Sequence, residues 1–339
     1  MRIIIPMAGI GSRLKPHTLT IPKPLTLIAG KPIVHRLVEE IVNVVGQKVT
    51  EIGFIIGTAA KGFPADTEEK LIKIATDLGA KGSVFIQHEA LGTAHAIHQA
   101  RTLLDGPCVV AFADTLFKAD FTLDRKNDGV IWVKKVANPK AFGVVKLKEG
   151  IITDFVEKPE VFVSDLAIIG IYYFKEAEKL QFEIDNLIDN DIKGKGGEYQ
   201  LTDALENLKL KGAQFVPGTV SDWMDNGNKQ VTVETNAKVL AYAHKDGEDL
   251  VAKSVILENA TIIPPCYIGE NVVLKDSTIG PNVSLGDDAV VENSIIKNSL
   301  IQKEVKITNA RLDNAMIGNK VVFDGNFTSV SLGDFSELI

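Results

Sequence analysis

Between residues 262 and 307 the apolar side chains keep neither the two-residue period of an ordinary strand nor the 3.6-residue period of a helix. Ile268, Leu274, Ile279, Leu285, Val291, Ile301 and Ile307 recur about every six positions, several of them followed by glycine, as in IGENVV, IGPNVS and LGDDAV. A chain with one aliphatic per six residues, and Asn or Asp between them, can bury those aliphatics by coiling so that each stacks on the one a coil earlier. That arrangement is a parallel β-helix of hexapeptide repeats. About four coils fit the segment, and the spacing slips by one residue at Ile279. An antiparallel sandwich is the alternative, and the sustained six-residue spacing disfavours it.

The first two thirds of the chain have a different texture. Residues 2–7, 51–57, 82–88 and 108–113 are short apolar runs rich in Ile, Val and Phe, which predict buried strands. In residues 31–45, Val34, Leu37, Val38, Ile41, Val42 and Val45 share one helix face, and 67–78 and 91–104 are similar. Alternating strand and helix predict an α/β domain with a Rossmann-like, mostly parallel sheet. From about residue 130, GVIWVKKV, FGVVKL, GIITDFVEK and LAIIGIYYF predict an antiparallel excursion that makes the sheet mixed and walls a pocket. Gly194–Gly197 precede a helix over 200–211, and a linking helix is expected near 229–243. The expected domains are 1–235, a linker helix 236–249, the β-helix 250–323 and a tail 324–339.

A net charge of -7 argues against a general nucleic-acid binder, whose affinity rests on a basic surface. No run approaches the roughly 18 apolar residues of a membrane span, and MRIIIPMAGIGSR lacks the build of a signal peptide, so a cytoplasmic location is expected. Cys108 and Cys266, far apart in sequence, supply neither a disulfide framework nor a thiolate metal site.

The segment Ala8-Gly9-Ile10-Gly11-Ser12-Arg13-Leu14-Lys15-Pro16 follows the first strand, where α/β sheets commonly hold nucleotide phosphates. Leu14 stands where a dinucleotide fingerprint needs its third glycine, and no Gly-Lys-Ser/Thr closes a P-loop. Pro16, Pro22 and Pro24 keep a helix from starting at once. Two glycines let backbone approach a ligand, and Arg13 and Lys23 bring positive charge. The residues alone leave two readings open: a phosphate loop, or a glycine turn with a solvated basic loop.

The stretch from Gly9 through Arg13 to Ile21-Pro22-Lys23-Pro24-Leu25, then Ala29-Gly30-Lys31-Pro32, resembles the signature of the sugar-phosphate nucleotidyltransferase family. Leu91-Gly92-Thr93-Ala94, Asp114, Phe142-Gly143-Val144-Val145 with Glu157-Lys158-Pro159, and Trp223-Met224-Asp225-Asn226-Gly227 are similar to further family motifs in the same order. The resemblance spans residues 1–235 and is nearest to glucose-1-phosphate thymidylyltransferase-like proteins, some of which carry a left-handed β-helix. It implies that a sugar 1-phosphate attacks the α-phosphorus of a nucleoside triphosphate and that pyrophosphate leaves. Such catalysis is mostly positioning and charge neutralisation.

By the same resemblance, Arg13 would hold the departing phosphates and Lys23 would stabilise the α-phosphate. Ala8, Gly9, Gly11, Gln87 and Gly92 would contact the nucleotide, Gln87 and Gly92 at its base. Lys158 would bind the sugar-linked phosphate and Glu157 sugar hydroxyls, while Gly143 and Gly170 would let the sugar lie on backbone. Glu198 would take another hydroxyl, or the run from Glu198 to Asp203 would cap the helix that follows. Asp114 and Asp225 would share Mg2+, since two carboxylates in one pocket repel unless a cation lies between them. His95 and His98 stand at i, i+3 near His88, but no third ligand at suitable spacing accompanies them, and surface histidines are expected.

Thr115 stands where thymidylyltransferases usually carry Asn, and Pro24 where many have Gln. The expected substrates are dTTP or UTP with glucose 1-phosphate. The alternatives are a mannose-1-phosphate guanylyltransferase and a non-catalytic sensor of nucleotide sugars. The last histidine is His244, so the β-helix lacks the base an acyltransferase needs. It is read as structural or as forming a homo-oligomer.

Overall fold

The computed structural model describes residues 1–9, 11–119 and 123–327. Its contacts gather Met1–Ile10 with Val34–Trp223 into one compact unit, and Gly11–Ile33 with Met224–Ile339 into another. Most of the expected tail, residues 328–339, lies outside the described residues.

The first unit is built on a mixed sheet of nine strands among the described residues. Arg2–Pro6 runs parallel to Glu51–Ile56 on one side and Cys108–Ala111 on the other, and Lys81–Ile86 extends the parallel edge. Leu166–Phe174 then enters antiparallel beside Cys108–Ala111 and pairs with Gly129–Lys135 and Val144–Lys148. Val144–Lys148 carries the antiparallel strand Ile151–Val156, and Phe215–Thr219 adds in parallel to Gly129–Lys135. The expected α/β sheet and its antiparallel excursion are both present, and Leu166–Phe174 joins them.

Helix α1 covers Ile33–Val45, and the apolar face expected there is buried through Val34, Leu37, Val38 and Ile41. Helix α2 is Thr67–Asp77. The single helix expected over 91–104 is two pieces, α3 at Thr93–His98 and a 3-10 turn at Arg101–Leu103. Helix α4, Ala177–Asp189, escaped the sequence reading although Leu180, Ile184 and Leu187 follow helical spacing and are buried. Helix α5, Leu201–Leu210, completes a core shared by α3, α4 and α5 with the sheet. Cys108 lies in that core, where burial pushes its thiol up to about 12.

In the second unit, helix α6, Lys229–Lys245, is followed by parallel strands in three sheets, as a β-helix requires. Ile268, Leu285, Ile301 and Ile317 fall in register, so successive coils take 17, 16 and 16 residues instead of 18. This shortening is the slip at Ile279, which pairs with Ile296 in the same 17-residue step. All seven aliphatics of the six-residue pattern are buried. Their corners use left-handed backbone at Asn271, Asp276, Asn282, Asp288, Asn293, Asn298, Asn309 and Asn314, which Asn and Asp adopt at least cost. Several corners bond to the next coil, as Asn271 to Asp288 at 3.1 Å and Asn293 to Asn309 at 2.7 Å. Among the described residues no helix is long and apolar enough to cross a membrane.

Candidate active site

In the first unit, three motifs far apart in sequence meet around the end of the strand Cys108–Ala111. Asp114 follows that strand and is exposed. Tyr172, fully buried on Leu166–Phe174, has its hydroxyl pushed up first by burial and then by the negative charges of Glu157 and Asp114. Asp114 and Glu157 therefore act on one hydroxyl. Thr115 is buried and accepts a long hydrogen bond, 3.5 Å, from Trp223 Nε1, while the Trp223 ring meets Phe142 edge-on at 5.4 Å.

Beside this group, a side chain at Gly143 would place its Cβ 2.9 Å from Glu157 Oε2 and 3.5 Å from Thr202 Cγ2. Gly143 leaves the Glu157 carboxylate its place. Burial raises the pKa of Glu157 most; Lys158 lowers it, and Asp203 and Glu198 raise it again. Lys158 Nζ lies 3.6 Å from Glu157 Oε1 and remains half exposed, so it can also reach a second anion. Lys158 adopts a φ of 42°, with its amide donating to the Phe142 carbonyl at 3.1 Å and its carbonyl accepting from Lys195 Nζ at 2.7 Å. A strained backbone held from both sides fixes where its side chain starts. Gly170, with φ 82°, packs against Phe112, and its carbonyl accepts from the Phe112 amide at 2.9 Å.

Glu198 is exposed and accepts from Gln200 Nε2 at 3.0 Å. The alternative reading, that Glu198 to Asp203 cap the next helix, is not what the structure does. Helix α5 begins after Gln200 without a side-chain cap from that residue, and its Leu201 amide donates to Thr93 Oγ1 at 2.8 Å. Thr93 also donates to Gln200 Oε1 at 3.2 Å. The Leu91-Gly92-Thr93-Ala94 motif is thereby zipped to Tyr199-Gln200-Leu201: Tyr199 N donates to Leu91 O at 2.8 Å and Ala94 N to Tyr199 O at 2.9 Å. Gly92, at φ 119°, permits this closeness, since a Cβ there would lie 2.4 Å from the Tyr199 carbonyl oxygen. Thr93, Tyr199 and Gln200 were not singled out for this; their signal is a pairing across about a hundred residues, invisible to local pattern.

Gln87 follows the strand Lys81–Ile86 but is buried, with its side-chain amide 3.1 Å from His95 Nδ1. His95 is half-buried, and His98 pairs with Asp185 at 3.2 Å, so these two are partnered inside the fold and not free at the surface. Ala8 and Gly9 end the described run after Arg2–Pro6, and Gly9 has open space where a side chain would be.

The remaining candidates belong to the second unit. Gly11, at φ 76°, precedes a single 3-10 turn, Ser12–Leu14, that leaves Arg13 exposed. A Cβ on Gly11 would lie 2.6 Å from Lys23 Cβ, so the glycine admits the Lys23 stem, and Lys23 is buried. Thr18 closes this fold of the loop by donating to the Gly11 carbonyl at 2.9 Å. Pro24 sits in the 3-10 turn Lys23–Leu25, at a position where a missing N–H costs nothing. Asp225 has its carbonyl bonded by Thr235 Oγ1 at 3.0 Å, and Gly227 gives its carboxylate room, since a Cβ there would lie 2.8 Å from Oδ2. Among the described residues no three or more His, Cys, Asp or Glu side chains converge as a metal cluster.

Glycine-lined backbone, an exposed lysine and carboxylates thus gather on the mixed α/β sheet of the first unit. The nucleotidyl transferase family matches residues 2–242, and the chain belongs to that family. The bifunctional protein GlmU of Methanococcus maripaludis is 31% identical over 278 residues, covering 78% of this chain and 62% of that protein. The chain thus spans less than two thirds of GlmU from this species, 54% in two other strains. Glucose-1-phosphate thymidylyltransferase of Streptomyces griseus is 27% identical over 95% of this chain and 93% of its own length. The solved UDP-glucose pyrophosphorylase bound to UDP-glucose shares the fold, with a TM-score of 0.56 at 24% identity over 72% of this chain and 98% of that one.

Proposed function

We propose that this chain joins a nucleoside triphosphate to a sugar 1-phosphate, releasing pyrophosphate, with dTTP or UTP and glucose 1-phosphate as the preferred pair. The observation that carries this reading is the Glu157–Lys158 pair set against Gly143. A carboxylate suited to hydroxyls beside a cation suited to a phosphate is what a sugar phosphate asks for.

In the reaction, an oxygen of the sugar phosphate forms a bond to the α-phosphorus while the α–β bridging P–O bond breaks, and the electron pair leaves with pyrophosphate. Lys158 would hold the attacking phosphate, and Glu157 would accept from sugar hydroxyls. Lys23 would meet the charge developing on the α-phosphate, and Arg13 would grip the departing phosphates through its planar fork. Asp114 and Asp225 offer oxygen donors only, which fits Mg2+, an ion that commonly takes one or two carboxylates and completes its shell with phosphates and water. When bound, it would supply charge neutralisation and fix the triphosphate geometry.

Thr115 hydrogen-bonds Trp223 within the protein, which supports reading its departure from the thymidylyltransferase pattern as a packing choice. The test is a matrix of four triphosphates against glucose, mannose and N-acetylglucosamine 1-phosphates, scored by pyrophosphate release. Highest turnover with a pyrimidine triphosphate and glucose 1-phosphate is expected. Preference for GTP with mannose 1-phosphate would replace it with a guanylyltransferase, and no release with any pair would favour a nucleotide-sugar sensor.

A further inference from the structure

The loop Gly11–Ile33, which carries Arg13 and Lys23, has a partner of its own within the second unit. Cys266–Ile268, Val283–Leu285, Ser299–Ile301 and Met316–Ile317 form one continuous sheet, a face of the β-helix four coils long. Along that face the loop is met at each coil. The Tyr267 ring lies where a Cβ on Gly30 would fall, 2.3 Å from it, so Gly30 rests directly on the ring. One coil on, Asn236 of α6 accepts two hydrogen bonds at Oδ1, from the Ala29 amide at 3.2 Å and from Ser284 Oγ at 2.7 Å. The next coil brings Gln302, whose Nε2 donates to the Leu27 carbonyl at 3.1 Å. At the last coil, Gly318 would meet His17 Nδ1 at 3.8 Å if it carried a Cβ.

These are not loose surface contacts. Asn236 is fully buried, Ser284 is 2% exposed and Gln302 7%, on a face that also packs against α6. A face of a β-helix built only to stack on itself or on another copy has no need of a buried Gln bonded to loop backbone, or of a buried Ser bonded to the α6 Asn that holds the loop. Each such group costs desolvation unless its partner is held in place, so the loop and the face fix one another. Nothing else among the six-residue repeats singles out Ser284 or Gln302, since both fall between the stacked aliphatics.

We infer that this face of the β-helix is a template for the phosphate loop, with Asn236, Ser284 and Gln302 as positioning residues that set where Arg13 and Lys23 stand. The role in turnover rests on the activity proposed above; the template itself does not. A nucleotidyltransferase that works by positioning loses rate when its phosphate-holding loop gains freedom, even though no group touching substrate has changed.

The experiment uses the full chain carrying Asn236→Leu, Asn236→Asp or Gln302→Ala, with hydrogen exchange of the segment 11–33 and pyrophosphate release measured on each. Asn236→Asp keeps an oxygen for both accepted bonds, whereas Asn236→Leu removes it. In Asn236→Leu and Gln302→Ala, exchange across residues 27–30 is expected to rise at least tenfold while the strands of the first unit stay protected. Turnover is expected to fall about tenfold or more, the KM for the sugar phosphate changing far less, and Asn236→Asp is expected to restore most of both. Should Asn236→Leu fail to fold, Ser284→Ala, which leaves the Ala29 bond in place, gives the same readouts at smaller size. Unchanged exchange of the loop would overturn the template, and raised exchange with unchanged kcat would overturn the positioning role. If the parent chain releases no pyrophosphate with any pair, the activity reading falls and the exchange measurement alone decides the template.

Discussion

The two units bury their aliphatics by different rules, and the difference shows in what a single side chain commits. In the α/β unit, Leu205 on α5 belongs to a core that draws on three helices and most of the sheet. In the β-helix unit, Leu285 sits between Ile268 and Ile301, its register neighbours one coil away on either side. The first core is shared in all directions; the second is a column. A column tolerates a local fault as a globular core does not, because each coil depends mainly on its neighbours. The same column nevertheless holds the loop Gly11–Ile33, which sequence order would assign to the α/β unit.

The largest effect should come from the two carboxylates, one in each unit. Asp114→Asn and Asp225→Asn keep shape and remove charge, so both variants should fold while turnover drops by about two to three orders of magnitude or more. Circular dichroism and pyrophosphate release on each variant, with chelation of the parent chain, check this. Near-normal turnover in either folded variant would remove that unit's carboxylate from the metal reading.

The contrast between shared core and column is sharpened by Leu205→Ala against Leu285→Ala. Both delete the same buried atoms, at about 2–5 kcal/mol each. Leu205→Ala should lower the unfolding midpoint of the α/β unit as a whole. Leu285→Ala should instead raise hydrogen exchange in the coils at 268–301 and in the loop 11–33, leaving the sheet at 2–6 and 51–56 protected. Equal loss of protection in both units would show that the column and the α/β core unfold as one.

Gly92→Ala probes a contact that only the α/β unit contains. Its Cβ would have to push back the Tyr199 carbonyl from 2.4 Å, and φ 119° already disfavours a side chain. Strain and overpacking together should cost about 2–4 kcal/mol. Thermal unfolding would report the loss, and the β-helix transition, followed by exchange, should not move.

Much of this architecture was legible because each unit announces its period. Apolar runs and helical spacing located α1, α2, α5, α6 and the strands of the α/β sheet other than Phe215–Thr219 to within a few residues, and the six-residue spacing located the β-helix. Short coils were legible only as a slip at Ile279, because left-handed corners stand five residues apart in places, as at Asn271 and Asp276, and six in others, as at Asn282 and Asp288. Helix α4 carried the right signal and lay between two regions read for other reasons. Site residues with a motif around them, Asp114, Glu157, Lys158 and Gly143, could be found by order along the chain. Asn236, Ser284 and Gln302 could not: what defines them is a partner 48 to 275 residues away, and nothing near them in sequence reports it.

The smallest effect, and the most selective for the loop's seat on the column, is a dependence on pH through His17. Its imidazole is half-buried beside Gly318 of the last coil, and burial first, then the charge of Lys229, lowers its pKa below the ordinary histidine value of about 6.5. The sign follows from linkage. As pH falls through the ordinary histidine range, the unfolded chain takes up a proton that the folded chain refuses, so stability is lost there; the loss levels off once pH is below the depressed folded value. As pH falls from about 7.5 to 5.5 the protection of the loop 11–33, its exchange measured against the intrinsic amide rate at each pH, should therefore fall, and His17→Gln should flatten that trend relative to the parent chain. Lys229→Gln should weaken it without abolishing it, because burial is the larger of the two causes. The comparison of variant with parent subtracts what other titrating groups contribute. A trend of equal slope in His17→Gln would mean that His17 is not the group responsible, and a trend of opposite sign would mean that its protonated form is the one the folded loop prefers.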